Sequence, residues 1–257
     1  MAATASSALA VENLDRGVVA RYASPGVFVS WRSLESAAPK TTFDVFRDGV
    51  KVNDEPITGG TNILDSKGTA TSTYVVKALV GGEVVETSKT TNVPGKALRV
   101  KLDRPEGGTI AGNSKFSTSD APLTDDYTYT PNDCSVGDVD GDGEYEIFVK
   151  WDPSNSRDNS QHGYTGNVYI DCYKLDGTKL WRVDLGKNIR AGAHYTQFMV
   201  YDFDGDGKAE MICKTAPGTI DGKGNPVLMG SDKVNEDNRN SNGHVLSGSE
   251  YLTVFSG

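Results

Sequence analysis

The sequence predicts an all-β protein in two parts, a small β-sandwich followed by repeated antiparallel sheets. Three observations predict it. Apolar and polar residues alternate in short runs separated by Asp-Gly and Gly-Gly pairs, the period-2 pattern of strands and tight turns. No stretch of helical length carries apolar residues at the helical period. And one strand–loop–strand unit occurs twice, with Asp202 of the second copy 64 residues after Asp138 of the first, which marks a repeat architecture.

Residues 1–10, "MAATASSALA", end in an Ala-x-Ala pattern but lack a basic start and a long apolar run. They read as a tail or, at best, the remnant of a secretory signal. Residues 11–95 carry closely spaced strands. "GVFVSW" sets Val27, Val29 and Trp31 on one face and Phe28 and Ser30 on the other. "TFDVFRDGVKV" is two strands turned at Asp48-Gly49, and "TYVVKALVGGEVVET" repeats the device at Gly81-Gly82. A β-sandwich of fibronectin type III character fits, with Trp31 in its core. Pro94-Gly95 and then "DRPEGGT" mark a boundary, with residues 96–104 as linker.

Residues 105–257 hold the repeat. The loop "DVDGDGEYE" leads into "EIFVKWD", a long polar loop, the strand "NVYIDCYKL", a turn at Asp176-Gly177 and the strand "TKLWRVDL". The loop "DFDGDGKAE" leads into "EMICKT", another polar loop and "YLTVFSG", where the sequence stops. A four-stranded unit repeated in this way is the pattern of β-propeller blades. A ring of roughly four to eight blades needs more chain than this, so the expectation is a truncated propeller.

Charge narrows the function. Among 257 residues, 26 Lys and Arg face 35 Asp and Glu, a net charge of −9. That excludes a nucleic-acid backbone as partner, which needs clustered cations. No apolar run is long enough to span a membrane. Cys134, Cys172 and Cys213 form no CxxC and no disulfide framework; each lies in or beside an apolar run and is expected as a buried free thiol.

The acid is concentrated in the two loops. Asp138, Asp140, Asp142 and Glu146 stand at positions 1, 3, 5 and 9 of the first, and Asp202, Asp204, Asp206 and Glu210 at the same positions of the second. Alternate side chains of a tight loop turn inward and surround one hard cation with oxygens. Ca2+ takes six to eight such ligands, commonly with a backbone carbonyl at position 7, here Glu144 and Lys208. Gly143 and Gly207 allow the bend. Position 12 is Val149 or Cys213 rather than a bidentate Glu, which excludes an EF-hand, and the strand-like sequence that follows argues against a dockerin repeat. Four like charges in one loop call for a cation, and its expected role is structural.

The run from "NDCSVGDVDGDGEYEIFVKWDPSN" to "FDGDGKAEMICKTAPGT", with "ENLDRG", "GVFVSWR" and "NRNSNGHVLSGSEYLTVF", resembles the rhamnogalacturonan lyases of polysaccharide lyase family 11. The resemblance runs from Val11 onward. It implies an N-terminal β-domain followed by an eight-bladed, calcium-bearing propeller, secreted or surface-exposed, that cuts rhamnogalacturonan I of pectin; a monomer is expected. The implied reaction is β-elimination: the C5 proton of a galacturonate leaves, then the 4-linked oxygen, giving a 4,5-unsaturated uronate. Pairing the neighbouring carboxylate with Ca2+, Arg or Lys offsets the second negative charge that develops.

By motif, Asn132 and Asp152 match the family's Asn and Asp near the galacturonate subsite. Arg190 is a candidate partner for a uronate carboxylate, and His194, in "RAGAHYTQF", is either a substrate contact or a structural histidine. His162, His244 and Lys150 receive no role. The resemblance places the catalytic base beyond Gly257, so no catalytic residue is assigned and these 257 residues alone are expected to be inactive. The alternative is a non-catalytic, calcium-dependent carbohydrate-binding or adhesion propeller.

Overall fold

The computed structural model describes residues 15–34, 37–94, 98–116, 124–192 and 195–257. They divide into two compact units, one of residues 13–99 with 142–144, the other of 100–141 and 145–257. Among the described residues strands dominate, and a single turn of 3-10 helix spans Asn113–Phe116.

In the first unit, β1 (Val19–Ala23), β2 (Gly26–Ser30) and β5 (Asn62–Asp65) form one antiparallel sheet in the order β1-β2-β5. The second sheet runs β4-β3-β6-β7, from β3 (Thr42–Arg47), β4 (Val50–Lys51), β6 (Thr73–Val80) and β7 (Glu83–Thr87), with β8 (Thr91–Asn92) also on β6. Both expected hairpins form, at Asp48-Gly49 and Gly81-Gly82. One core draws on both sheets: Val27, Val29 and Trp31 from the first, Phe43, Val45, Tyr74 and Val76 from the second. Phe28, out of phase with its neighbours, is 41% exposed, as the alternation requires.

In the second unit β9 (Gly108–Thr109) pairs with β10 (Asp126–Tyr127). A four-stranded antiparallel sheet follows in sequence order: β11 (Tyr129–Gly137), β12 (Glu146–Pro153), β13 (Tyr169–Tyr173) and β14 (Lys179–Asp184). The third sheet has the same order and one strand fewer: β15 (Phe198–Tyr201), β16 (Glu210–Thr215) and β17 (Tyr251–Phe255).

A single apolar core lies between these two sheets, with Phe148, Ile170, Cys172 and Val183 meeting Ala209, Met211 and Cys213. The other face of the four-stranded sheet buries Tyr129, Val149, Trp151 and Tyr173. Covered on both faces, β12 is buried along almost its whole length, its charged Glu146 and Lys150 included. The far face of the three-stranded sheet is open: Met199, Tyr201, Leu252 and Val254 are each more than half exposed. Cys172 and Cys213 are buried thiols as expected, but Cys134 is exposed. It lies on β11, the edge strand of its sheet, which among the described residues pairs only with β12.

Candidate functional site

The same local bonds build both acidic loops. Asp138 accepts from the Gly141 N–H at 2.7 Å, and Asp202 from the Gly205 N–H at 2.6 Å. Glu146 accepts from the Val139 N–H at 2.9 Å, and Glu210 from the Phe203 N–H at 2.8 Å. Asp142 and Asp206 each accept, at 2.8 Å, from the N–H two residues on. Gly143 and Gly207 take φ of 87° and 91°, where a side chain would be strained.

Carboxylate oxygens converge in each loop to within 4.8 Å, but from different positions: Asp138, Asp140 and Glu146 in the first, Asp202, Asp204 and Asp206 in the second. Asp138, Glu146, Asp202 and Glu210 are all buried. Burial pushes the Glu210 carboxyl up; the Phe203 N–H opposes this, and the charges of Asp204, Asp202 and Asp206 add to it. The first loop also has a partner that sequence reasoning missed. Lys174 binds Asp140 and stands 3.9 Å from Glu146. No regular spacing announces it, because it comes from the turn that follows β13. Either donor set is all oxygen and anionic, the chemistry of a hard divalent cation.

The loops also touch. The Ala209 N–H, in the second, donates to the Asp138 carbonyl of the first at 2.7 Å.

Asn132 and Asp152 lie on paired strands near one end of the four-stranded sheet. β11 pairs with β12 at Pro131↔Trp151 and resumes at Cys134↔Val149. Asn132 and Asp133 therefore bulge together opposite Lys150. Asn132 is exposed, and its side-chain oxygen accepts from the Asp133 N–H at 2.8 Å. Asp152, half-buried, sits beside Thr130 in register. Burial pushes its carboxyl up, while Ser156 and Lys150 pull it down.

Arg190 is occupied. Its guanidinium donates to the carbonyls of Arg157, Asp158, Gln161 and Gly163 at 2.7–3.2 Å, which pins the 157–163 loop. Burial, with the Arg157 charge, lowers its pKa. It lines a cavity of about 320 Å3 together with Asn188, Tyr195, Lys214 and His244. Lys214, in turn, pairs with Glu250 at 2.8 Å. Neither Lys214 nor Tyr195 stands out in the sequence; the fold brings them to the cavity. His194 lies outside the described residues.

Residues 99–257 match the family model "Rhamnogalacturonan lyase family 11, C-terminal domain", and residues 9–94 match "Rhamnogalacturonan I lyases beta-sheet domain". Over 248 residues the chain is 55% identical to the rhamnogalacturonan endolyase YesW of Bacillus subtilis (strain 168) and 53% identical to the rhamnogalacturonan exolyase YesX of the same organism. These alignments take in 96% of this chain but 37% and 38% of those proteins. The crystal structure of YesX superposes with a TM-score of 0.82, covering 96% of this chain and 39% of that one. That of YesW gives 0.81, covering 96% and 40%. The chain thus spans about two fifths of the length of these relatives.

Proposed function

The chain belongs to the rhamnogalacturonan lyases of polysaccharide lyase family 11, and from that membership we propose that it forms the N-terminal part of a secreted, monomeric enzyme acting on rhamnogalacturonan I. The bond cut is that between rhamnose and the 4-position of galacturonate, by β-elimination. What carries the reading is the 55% identity to a rhamnogalacturonan endolyase across 96% of the chain, which takes in both acidic loops and the motif around Asn132 and Asp152.

On this reading the first unit is a fibronectin type III-like sandwich and the second the opening blades of an eight-bladed propeller. Two features support the propeller: the sheets repeat one strand order, and the second leaves an apolar face of Met199, Tyr201, Leu252 and Val254 on which a further blade would stack. Each acidic loop holds one Ca2+. Asp138, Asp140 and Glu146 would ligate the first and Asp202, Asp204 and Asp206 the second, with Asp142, Glu210 and the carbonyls of Glu144 and Lys208 as further donors. The cations brace the loops and take no part in bond breaking.

Asn132 and Asp152 would contact the galacturonate. Arg190 would shape the neighbouring cavity through the loop it pins and, with Lys214, present a cation there to an incoming carboxylate. Absorbance near 235 nm, the signature of an unsaturated uronate, tests the reading. A chimera in which these residues replace the matching part of YesW is expected to produce it from rhamnogalacturonan with calcium, and these residues alone are not. A silent, folded chimera would sink the proposal, and an active isolated chain would place the catalytic base within it.

A further inference from the structure

Lys150 is fully buried, although it sits on the face of β12 that carries Phe148 into the core between the sheets. Its register partner on β13, Ile170, is also fully buried. An apolar side chain would fill this place without the cost of stripping water from an ammonium. The geometry shows what the charge does there. Lys150 Nζ binds the Asp133 carboxylate and donates to the Tyr195 carbonyl at 3.4 Å.

Asp133 is half of the two-residue bulge opposite Lys150, and the other half is Asn132. Bulges re-aim side chains beside sites and break the ladder that would otherwise hold them. With regular pairing lost at this point, the ammonium anchors the bulge from beneath. It also balances a carboxylate that is 54% exposed and would otherwise repel an acidic sugar. Tyr195, at the other end, lines the cavity beside Arg190, and Asp152 lies two residues along the same face of β12.

We propose that Lys150 is a positioning residue for the substrate edge: it sets how Asn132 and Asp133 project and ties them to the segment at Tyr195. The inference rests on the reading of Asn132 and Asp152 as uronate contacts.

The test is calorimetric binding of a rhamnogalacturonan oligosaccharide to the whole chain in saturating calcium, for wild type, Lys150→Met, Asp133→Asn and the double variant. Each single change should weaken binding about tenfold, and the double variant should bind no more weakly than Lys150→Met. Calcium uptake should be unchanged, which loss of folding would not spare. Wild-type affinity in Lys150→Met, or losses that multiply in the double variant, would overturn the proposal. Should Lys150→Met fail to fold, Asp133→Asn decides alone, since its change lies at the exposed end of the pair: a tenfold loss supports the proposal and wild-type affinity refutes it. If the wild-type chain binds no oligosaccharide, the functional reading of the edge falls. Amide exchange at residues 132–134 then decides the positioning role: about tenfold faster exchange in the variants supports it, and unchanged exchange refutes it.

Discussion

Removing divalent cations should cost the second unit much of its thermal stability. In each loop three carboxylates bring oxygens within 4.8 Å of one another. At an effective dielectric near 20, a pair of unit charges at that separation repels by about 3 kcal/mol. Lys174 offsets part of this in the first loop. In the second, burial pushes the Glu210 carboxyl up and the charges of Asp204, Asp202 and Asp206 add to it. A cation binding only the folded loop at a hundredfold excess over its dissociation constant adds about 2.7 kcal/mol per site. Two sites then give about 5 kcal/mol, and for a domain of this size each kcal/mol moves the midpoint by about 2–4 °C. Calorimetric scans in millimolar calcium and in chelator should therefore differ by roughly 10–20 °C. Asp138→Asn and Asp202→Asn should each remove about half of the gap. Because Lys174 competes for Asp140, the first site should be the weaker, and Lys174→Gln should tighten it. Coincident scans in chelator and calcium, with no heat of calcium binding, would refute the reasoning.

Two other predictions concern buried charges. Asp171 is fully buried and accepts from Arg182, from the Trp151 indole and from the Tyr173 hydroxyl at 2.6–2.8 Å. Burial and this carboxylate push the Tyr173 hydroxyl up to about 12. Asp171→Ala strands all of these donors and should lower stability by roughly 3–5 kcal/mol, read by urea unfolding. In the first unit, burial pushes the Asp65 carboxyl up, but hydrogen bonds from Arg47, Tyr74 and the Lys67 N–H together with the Arg47 charge leave it below the usual carboxylate range. A depressed folded pKa contributes stability that is present above the unfolded value, near 3.9, and is lost as pH falls through the folded one. The stability of this unit should therefore fall between about pH 5 and pH 2, and Asp65→Asn should flatten that slope while lowering stability at pH 7 by about 2 kcal/mol.

Local pattern carried much of the fold. Val27, Val29 and Trp31 went to the core and Phe28 to the surface because a strand in contact with one core must alternate. The two acidic loops were legible because their carboxylates are close in sequence, whereas which three of them converge differs between the copies and was not. Cys134 was misjudged because burial on β11 depends on a neighbour beyond the strand, which no short window contains. Asp133, Lys150 and Tyr195 come from three separate segments, and nothing in "FVKWD" says that its lysine meets a bulge. Arg190 was read from its charge and its segment, and nothing there announces that its terminal nitrogens bind four carbonyls 27–33 residues away. The Lys174 ammonium reaches a loop 34 residues upstream for the same reason.

The contact between the acidic loops changes what a cation there can do. Asp138 offers its carboxylate to the first donor set and its carbonyl to the Ala209 N–H of the second loop, at 2.7 Å. Ala209 is fully buried and adjoins Glu210 in the same core that joins the two sheets. Fixing the carboxylate of Asp138 therefore also fixes the backbone on which the second loop hangs. Each loop opens the strand that carries its own sheet into that core, β12 from the first and β16 from the second. A cation bound in either loop would thus restrain one sheet against the next, which no interaction confined to a single sheet could do.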